Sequence, residues 1–313
     1  MNPLAFGRRT VNSAPVLAVF ISVFLWGVAP LLFIATDLTI NSVIFYRVIM
    51  WPPLLIFIVM RKGGRVTKKT LHITLVPGLL FGLSTITNFT AVAETSVANA
   101  TIIGNISSAL VLLVAPKLFG ERITKLQIIF AITSFAGIVM VVFGSGGTGG
   151  ATIRGDFLAL LNAVFWMFYF LSSKIRRSDG INTWEFLAGV SFSQLLVAVP
   201  YAVITSNDLG NISLRDFGII ALMTLVPGTV GHGFMVWAHK FVDASVSSLI
   251  LLLGPVISGI GGWLVYDQKI TVIQAIGGVV VLVSLAGVVR YSASQRVNRE
   301  VLSTADPLLN SNP

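Results

Sequence analysis

Apolar residues run along this chain in long unbroken blocks, with polar residues confined to short intervals between them. Blocks of about 20 residues fall near 14–35, 40–60, 70–93, 97–118, 125–143, 155–174, 182–204, 215–238, 245–266 and 271–290. About 20 apolar residues at 1.5 Å per residue cross a bilayer core. The pattern therefore predicts ten transmembrane helices and an all-α integral membrane fold. Outer-membrane strands would alternate in shorter segments, and these blocks are continuous. The first block is long enough to span and no small-residue cleavage site follows it, so it reads as a helix rather than a signal peptide.

The blocks repeat. "TLVPG" stands at 74–78 and again at 224–228, an offset of 150. "ETSVA" at 94–98 is matched by "DASVS" at 243–247, "RITKLQ" at 122–127 by "KITVIQ" at 269–274, and "SFAGIV" at 134–139 by "SLAGVV" at 284–289. Trp26 aligns with Trp166 at an offset of 140. The unit is five helices, present twice. An odd number of spans makes the second copy enter the membrane from the other side, so the two halves are inverted repeats, an arrangement common in transporters. The expected organisation is an N-terminal segment 1–13, a first repeat 14–143, a Gly-rich external linker 144–153, a second repeat 154–291 and a flexible tail 292–313.

Composition agrees with membrane residence. The chain is 55% hydrophobic and 11% charged, against about 25% charged in soluble domains. The net charge of +9 does not indicate a nucleic-acid partner, because the basic residues sit between apolar blocks. With the N-terminus inside, 17 of the 21 Lys and Arg residues fall in cytoplasmic segments. Arg154, Arg215 and Lys269 lie on the other side, and Arg47 lies within a span. This asymmetry is the positive-inside pattern. It predicts a multi-pass protein of the cytoplasmic (inner) membrane with both termini in the cytoplasm. There is no cysteine, so no disulfide and no thiolate metal site.

Polar and aromatic residues inside the blocks are the candidate chemistry. An ionisable group at membrane depth is costly. Arg47 lies about seven residues, roughly 10 Å, below the outer end of the second helix. It either pairs with a substrate carboxylate or phosphate through two parallel bonds, or snorkels and ties its helix to neighbouring carbonyls. His232, between glycines in the eighth helix, either carries a proton or contacts substrate, or is a packing histidine. Asn88, Asn105 and Asn162 line a cavity or join helices. Trp26, Trp166 and Tyr169 form an aromatic set; the repeat symmetry turns Trp26 and Trp166 toward the centre, where rings suit apolar or cationic solutes. Trp51 has interfacial or packing readings. Pro52 and Pro53 predict a bend in the second helix. Gly254–Pro255 in the ninth helix is placed much as Asn105 is in the fourth. No embedded carboxylate is placed to carry protons, which weakens proton antiport and leaves facilitated diffusion, exchange or coupling through His232 open.

"FLWGVAP" at 24–30, "FYR" at 45–47 and "FGERIT" at 119–124, in this order on two five-helix units, resemble the EamA-type family of the drug/metabolite transporter superfamily. The opening segment is somewhat similar to its RarD-like members. The resemblance covers residues 14–291. It implies export or exchange of small metabolites, amino acids among them, through a central cavity lined mainly by helices 1, 3, 4, 6, 8 and 9. The second copy departs from the family pattern, with "YDQKIT" at 266–271 where many members keep Gly-Glu. The expected function is secondary transport of a small-molecule substrate by alternating access. The alternatives are a non-transport membrane subunit or a channel-like facilitator. No H-E-x-x-H, paired aspartates or phosphate loop is present, so no enzyme, metal or cofactor is expected.

Overall fold

The computed structural model describes residues 13–95, 97–121, 123–144, 152–267 and 270–309. The segment 1–12, most of the Gly-rich linker (145–151) and the last four residues lie outside the described residues. Ten helical rods follow the apolar blocks. The first three are α1 (Ala14–Ile34), α2 (Ile40–Arg61) and α3 (Lys68–Glu94). Next come α4, in two pieces (Val97–Gly104 and Ile106–Phe119), and α5 (Lys125–Gly144). The second half begins with α6 (Ile153–Ser178) and α7 (Thr183–Thr205). In α8, Leu214–Met223 and His232–Ala238 flank a π-helical turn, Thr224–Gly231. α9 is again in two pieces (Ala244–Leu251 and Gly254–Tyr266), and α10 is Val272–Leu309.

Among the described residues, nine rods are long and apolar enough to cross a membrane, and α10 adds the shorter apolar stretch Val272–Val288. The ten-helix reading holds. Most ends fall within about two residues of the apolar block, and at four N-termini a short polar side chain caps the helix. Thr67 and Thr70 cap α3 reciprocally, and Thr152, Asn182 and Ser213 accept from the first turns of α6, α7 and α8. α6 runs four residues past its block to Ser178, and α10 stays helical well past its apolar stretch to Leu309. Helix continues through Pro52 and Pro53 in α2.

The two interrupted rods occupy corresponding places. α4 breaks at Asn105, whose side-chain Nδ2 donates to Thr101 O at 2.7 Å in competition with the backbone ladder. α9 breaks at Leu252–Leu253, where the N–H groups donate to carbonyls only three residues back. Pro255 follows, and proline supplies no N–H to carry the ladder on.

Packing repeats with the halves exchanged. α3 packs on α6 and α7, while α8 packs on α1 and α2. α2 meets α7, α4 meets α9 and α5 meets α10, each pair being its own mirror image under the exchange. This is the contact pattern that two five-helix repeats require. At the α5–α10 contact the backbones touch. A Cβ added at Gly137 would lie 2.8 Å from Gly277 O, and one at Gly277 2.6 Å from Gly137 O.

A candidate substrate site between the two halves

Six rings meet at the centre of the bundle. α1, α2 and α3 contribute Trp26, Trp51 and Phe81; α6 and α8 contribute Trp166, Tyr169 and His232. Trp26 sits edge-on to Trp166 at 5.5 Å and 4.6 Å from the His232 ring. Phe81 stacks on Tyr169 at 4.5 Å and stands 5.1 Å from His232. Trp51 is 5.6 Å from both Phe81 and His232. These are ordinary separations for attractive aromatic pairs.

Helix spacing places the rings. Trp26 and Trp166 hold matched positions in the repeats. Tyr169 lies three residues after Trp166, on the same face of α6. The π turn of α8 places the third group. Its wider winding puts residues five apart in line, so Thr229 Oγ1 donates to Thr224 O at 2.8 Å, and His232 Nδ1 lies 3.2 Å from Pro227 O. Trp26 Nε1 donates toward Pro227 O at 3.0 Å and His232 Nδ1 at 3.2 Å. The approach depends on Gly231, where a Cβ would meet Trp26 Nε1 at 2.9 Å. Trp51 Nε1 donates to Thr229 Oγ1 at 3.1 Å.

Two polar atoms of the cluster are left without partners. His232 Nε2 and Tyr169 Oη are buried and make no hydrogen bond. With either tautomer of His232, Nδ1 is engaged and Nε2 is spare. A buried polar group without a bond costs free energy, so these two atoms offer a bound solute a donor and an acceptor.

A short amide ladder lies next to the rings. Asn162, one turn before Trp166, accepts from Ser84 Oγ at 2.7 Å and donates to Asn88 Oδ1 at 3.1 Å. Asn88 is exposed. Asn105 is not joined to them, because its amide is turned to Thr101 of its own helix. Gly104, beside it, does approach, with Asn162 Nδ2 3.8 Å from where a Cβ would stand. Arg47 lies one turn before Trp51 on α2. Its guanidinium carbon is 5.7 Å from the Phe89 ring centre and its Nε is buried without a partner. No carboxylate forms an ion pair with it among the described residues.

The structure thus gathers Trp26, Trp166, Tyr169 and His232 into one cluster and joins Asn88 to Asn162 beside it. Trp51 and Phe81 complete the ring set. One signal for Trp51 was its position four residues after Arg47, on the same helix face. A cavity of about 610 Å³ lies elsewhere, at the loop ends, lined by Arg65, Lys69, Arg176 and Asp179 among others.

The sequence model of the EamA-like transporter family matches residues 13–143 and again 153–290. The chain belongs to this family. The EamA match confirms the resemblance drawn from the motifs, and with the apolar helices it makes the chain a multi-pass membrane transporter. It is 26% identical over 247 residues to the pseudopaline exporter CntI of Pseudomonas aeruginosa strain UCBPP-PA14, covering 78% of this chain and 84% of that one. It is 25% identical over 253 residues to the uncharacterized transporter YyaM of Bacillus subtilis, covering 76% and 81%. A solved structure titled only as the crystal structure of a protein superposes with a TM-score of 0.72 at 19% identity, over 88% of this chain and 98% of that one. At that identity the likeness concerns the fold alone.

Proposed function

We propose that this EamA-family chain is a secondary transporter that exports or exchanges a small organic solute by alternating access. The ring cluster is its binding place. It works in the cytoplasmic membrane with both termini inside. The observation that carries the reading is the composition of the cluster: three rings come from the first repeat (Trp26, Trp51, Phe81) and three from the second (Trp166, Tyr169, His232). A solute held there touches both halves, so tilting one half against the other changes which side it can leave by. The rings approach within 4.5–6.4 Å of one another. That packing favours a path occluded at its middle over a standing pore. The relatives named pseudopaline exporter support the outward direction.

The polarity of the site narrows the solute. Rings hold apolar or cationic surface, His232 Nε2 and Tyr169 Oη take a hydrogen bond each, and Arg47, paired with no carboxylate among the described residues, suits an anionic end. An amino-acid-like solute carries all of these features.

Flux in proteoliposomes loaded with amino acids, nucleosides or cationic dyes tests the proposal. Saturable flux of one class is expected, falling at least about tenfold in Trp26→Ala and Trp166→Ala. Non-saturable leak, or flux unchanged in folded Trp26→Ala and Trp166→Ala, would overturn the site. A proton gradient that accelerates wild type but not His232→Ala would assign proton coupling to that histidine.

A further inference from the structure

At the end of the bundle that the charge pattern assigns to the cytoplasm, one acidic side chain of the first half reaches into the second. Glu121 follows α4. Its Oε1 accepts from Ala244 N at 2.7 Å, and its Oε2 from Ser245 N at 3.1 Å and Ser245 Oγ at 2.6 Å. These are the first residues of α9. Glu121 also stands 3.6 Å from Lys174 Nζ of α6, with side-chain exposures of only 7% and 10%. Lys174 in turn donates to Val242 O at 2.6 Å and His239 O at 3.4 Å in the α8–α9 connection. Ser173 Oγ bonds His239 Nδ1 at 2.9 Å. Among the described residues Glu121 supplies the first half's hydrogen bonds to this cluster, and the Phe119 ring of α4 lies 5.3 Å from Lys174 Nζ.

The repeat cannot build the same cluster at the other end. The alignment of "FGERIT" with "YDQKIT" puts Gln268 where Glu121 stands, and the Trp26–Trp166 offset puts Ile34 where Lys174 stands. Both charges are therefore missing from the mirrored sequence positions, and Ile34 is exposed. A buried ion pair whose remaining valences are filled by hydrogen bonds is strongly disfavoured from losing one partner, since that leaves a buried charge alone.

We infer that Glu121 and Lys174 form a cytoplasmic latch that ties the halves together at one end and biases the resting protein toward the state closed to the cytoplasm. The inference rests on the alternating-access reading. Glu121 and Lys174 are positioning residues: they touch no solute and act through the state they hold.

The chain has no cysteine, so a single introduced thiol reports cleanly. Ala115 is fully buried in α4, six residues before Glu121, in a core shared with Ala18, Ala238 and Ala244. Ala202 is fully buried near the outer end of α7. The experiment labels Ala115→Cys and Ala202→Cys in full-length protein with a membrane-impermeant thiol reagent applied from the cytoplasmic face. In Lys174→Met and Glu121→Gln, labelling at position 115 should accelerate on the order of tenfold while position 202 stays protected. Lys174→Arg, which keeps the charge, should stay slow at both. Unchanged labelling at 115 in variants that remain monodisperse with wild-type melting would overturn the latch. So would an equal rise at both positions, the mark of general loosening. Flux is measured in the same vesicles. A latch response without flux of any solute counts against the transport reading alone; intact flux without the response counts against the latch alone.

Discussion

Arg47 is a cation inside a helix bundle with an aromatic ring beside it, and no acid is paired with it among the described residues. If its partner is the solute, Arg47→Ala should lower the initial flux of anionic or zwitterionic solutes by about ten- to a hundredfold and leave cationic dyes nearly unaffected. Those magnitudes follow from losing one charge-assisted bond of about 1.5–3 kcal/mol. Arg47→Lys should recover only part, because an ammonium cannot make two parallel bonds. Equal loss for all solutes would instead place Arg47 in the scaffold. Trp26→Phe tests a different contribution. It keeps a ring but removes the N–H shared by Pro227 O and His232, and a cost of about 1 kcal/mol in stability is expected by thermal or denaturant unfolding. Some of this site was legible in the sequence. A histidine between glycines in an apolar run, and two tryptophans at matched repeat positions, stand out against their surroundings. Trp51 is marked only by its spacing from Arg47, and Phe81 not at all, since an aromatic residue within an apolar stretch carries no mark of which side it faces. Asn105 shows the converse. Its chemistry suits a cavity, yet its amide folds back on its own turn, a choice made by local hydrogen bonding.

Helices other than α10 were readable to within a few residues because the bilayer demands a fixed apolar length. The paired interruptions of α4 and α9 were partly readable from Asn105 and Gly254–Pro255. The π turn was not. The pentamer "TLVPG" is α-helical in α3 and π-helical in α8, so its winding is set by what surrounds it, including the bonds to Trp26 and Trp51. Between elements, the α1–α2 and α7–α8 connections are joined at Asp208. Its carboxylate accepts from Thr39 N at 2.8 Å and Thr39 Oγ1 at 2.6 Å, from Ser206 Oγ at 3.0 Å and from Ser42 Oγ. Burial raises its pKa, but the bonds from Ser42, Thr39 and Ser206 together outweigh that and hold it at about 2, below the ordinary 3.8. A depressed carboxylate stabilises the fold above its unfolded pKa and loses that effect as pH falls through the folded value. Asp208→Asn should therefore melt earlier than wild type near neutral pH. The gap should close between about pH 4 and pH 2. A gap independent of pH would mean that the charge is not what holds the connection.

For the molecule as a whole, inversion was legible because five spans cannot return a chain to the side where it began, and the basic residues recorded that. Which faces of the rods meet was not, since nearly every face is apolar in a chain that lipid also surrounds. Gly137 and Gly277 illustrate it: their importance appears only once α5 and α10 lie backbone to backbone. Gly137→Leu should force these helices apart and destabilise the protein by about 1–3 kcal/mol or prevent folding, read from the melting temperature and the yield of monodisperse protein. The same substitution at Gly259, where an added Cβ meets nothing within 4 Å, should be far milder. The ring cluster has one more consequence. It holds Trp26, Trp51 and Trp166, three of the six tryptophans in the chain. The indoles that report the intrinsic fluorescence of this protein are thus concentrated where a solute would part the rings. If the ring cluster is the binding place, unlabelled protein carries its own optical probe of occupancy, and a titration of candidate solutes against its emission ranks them before any vesicle is made.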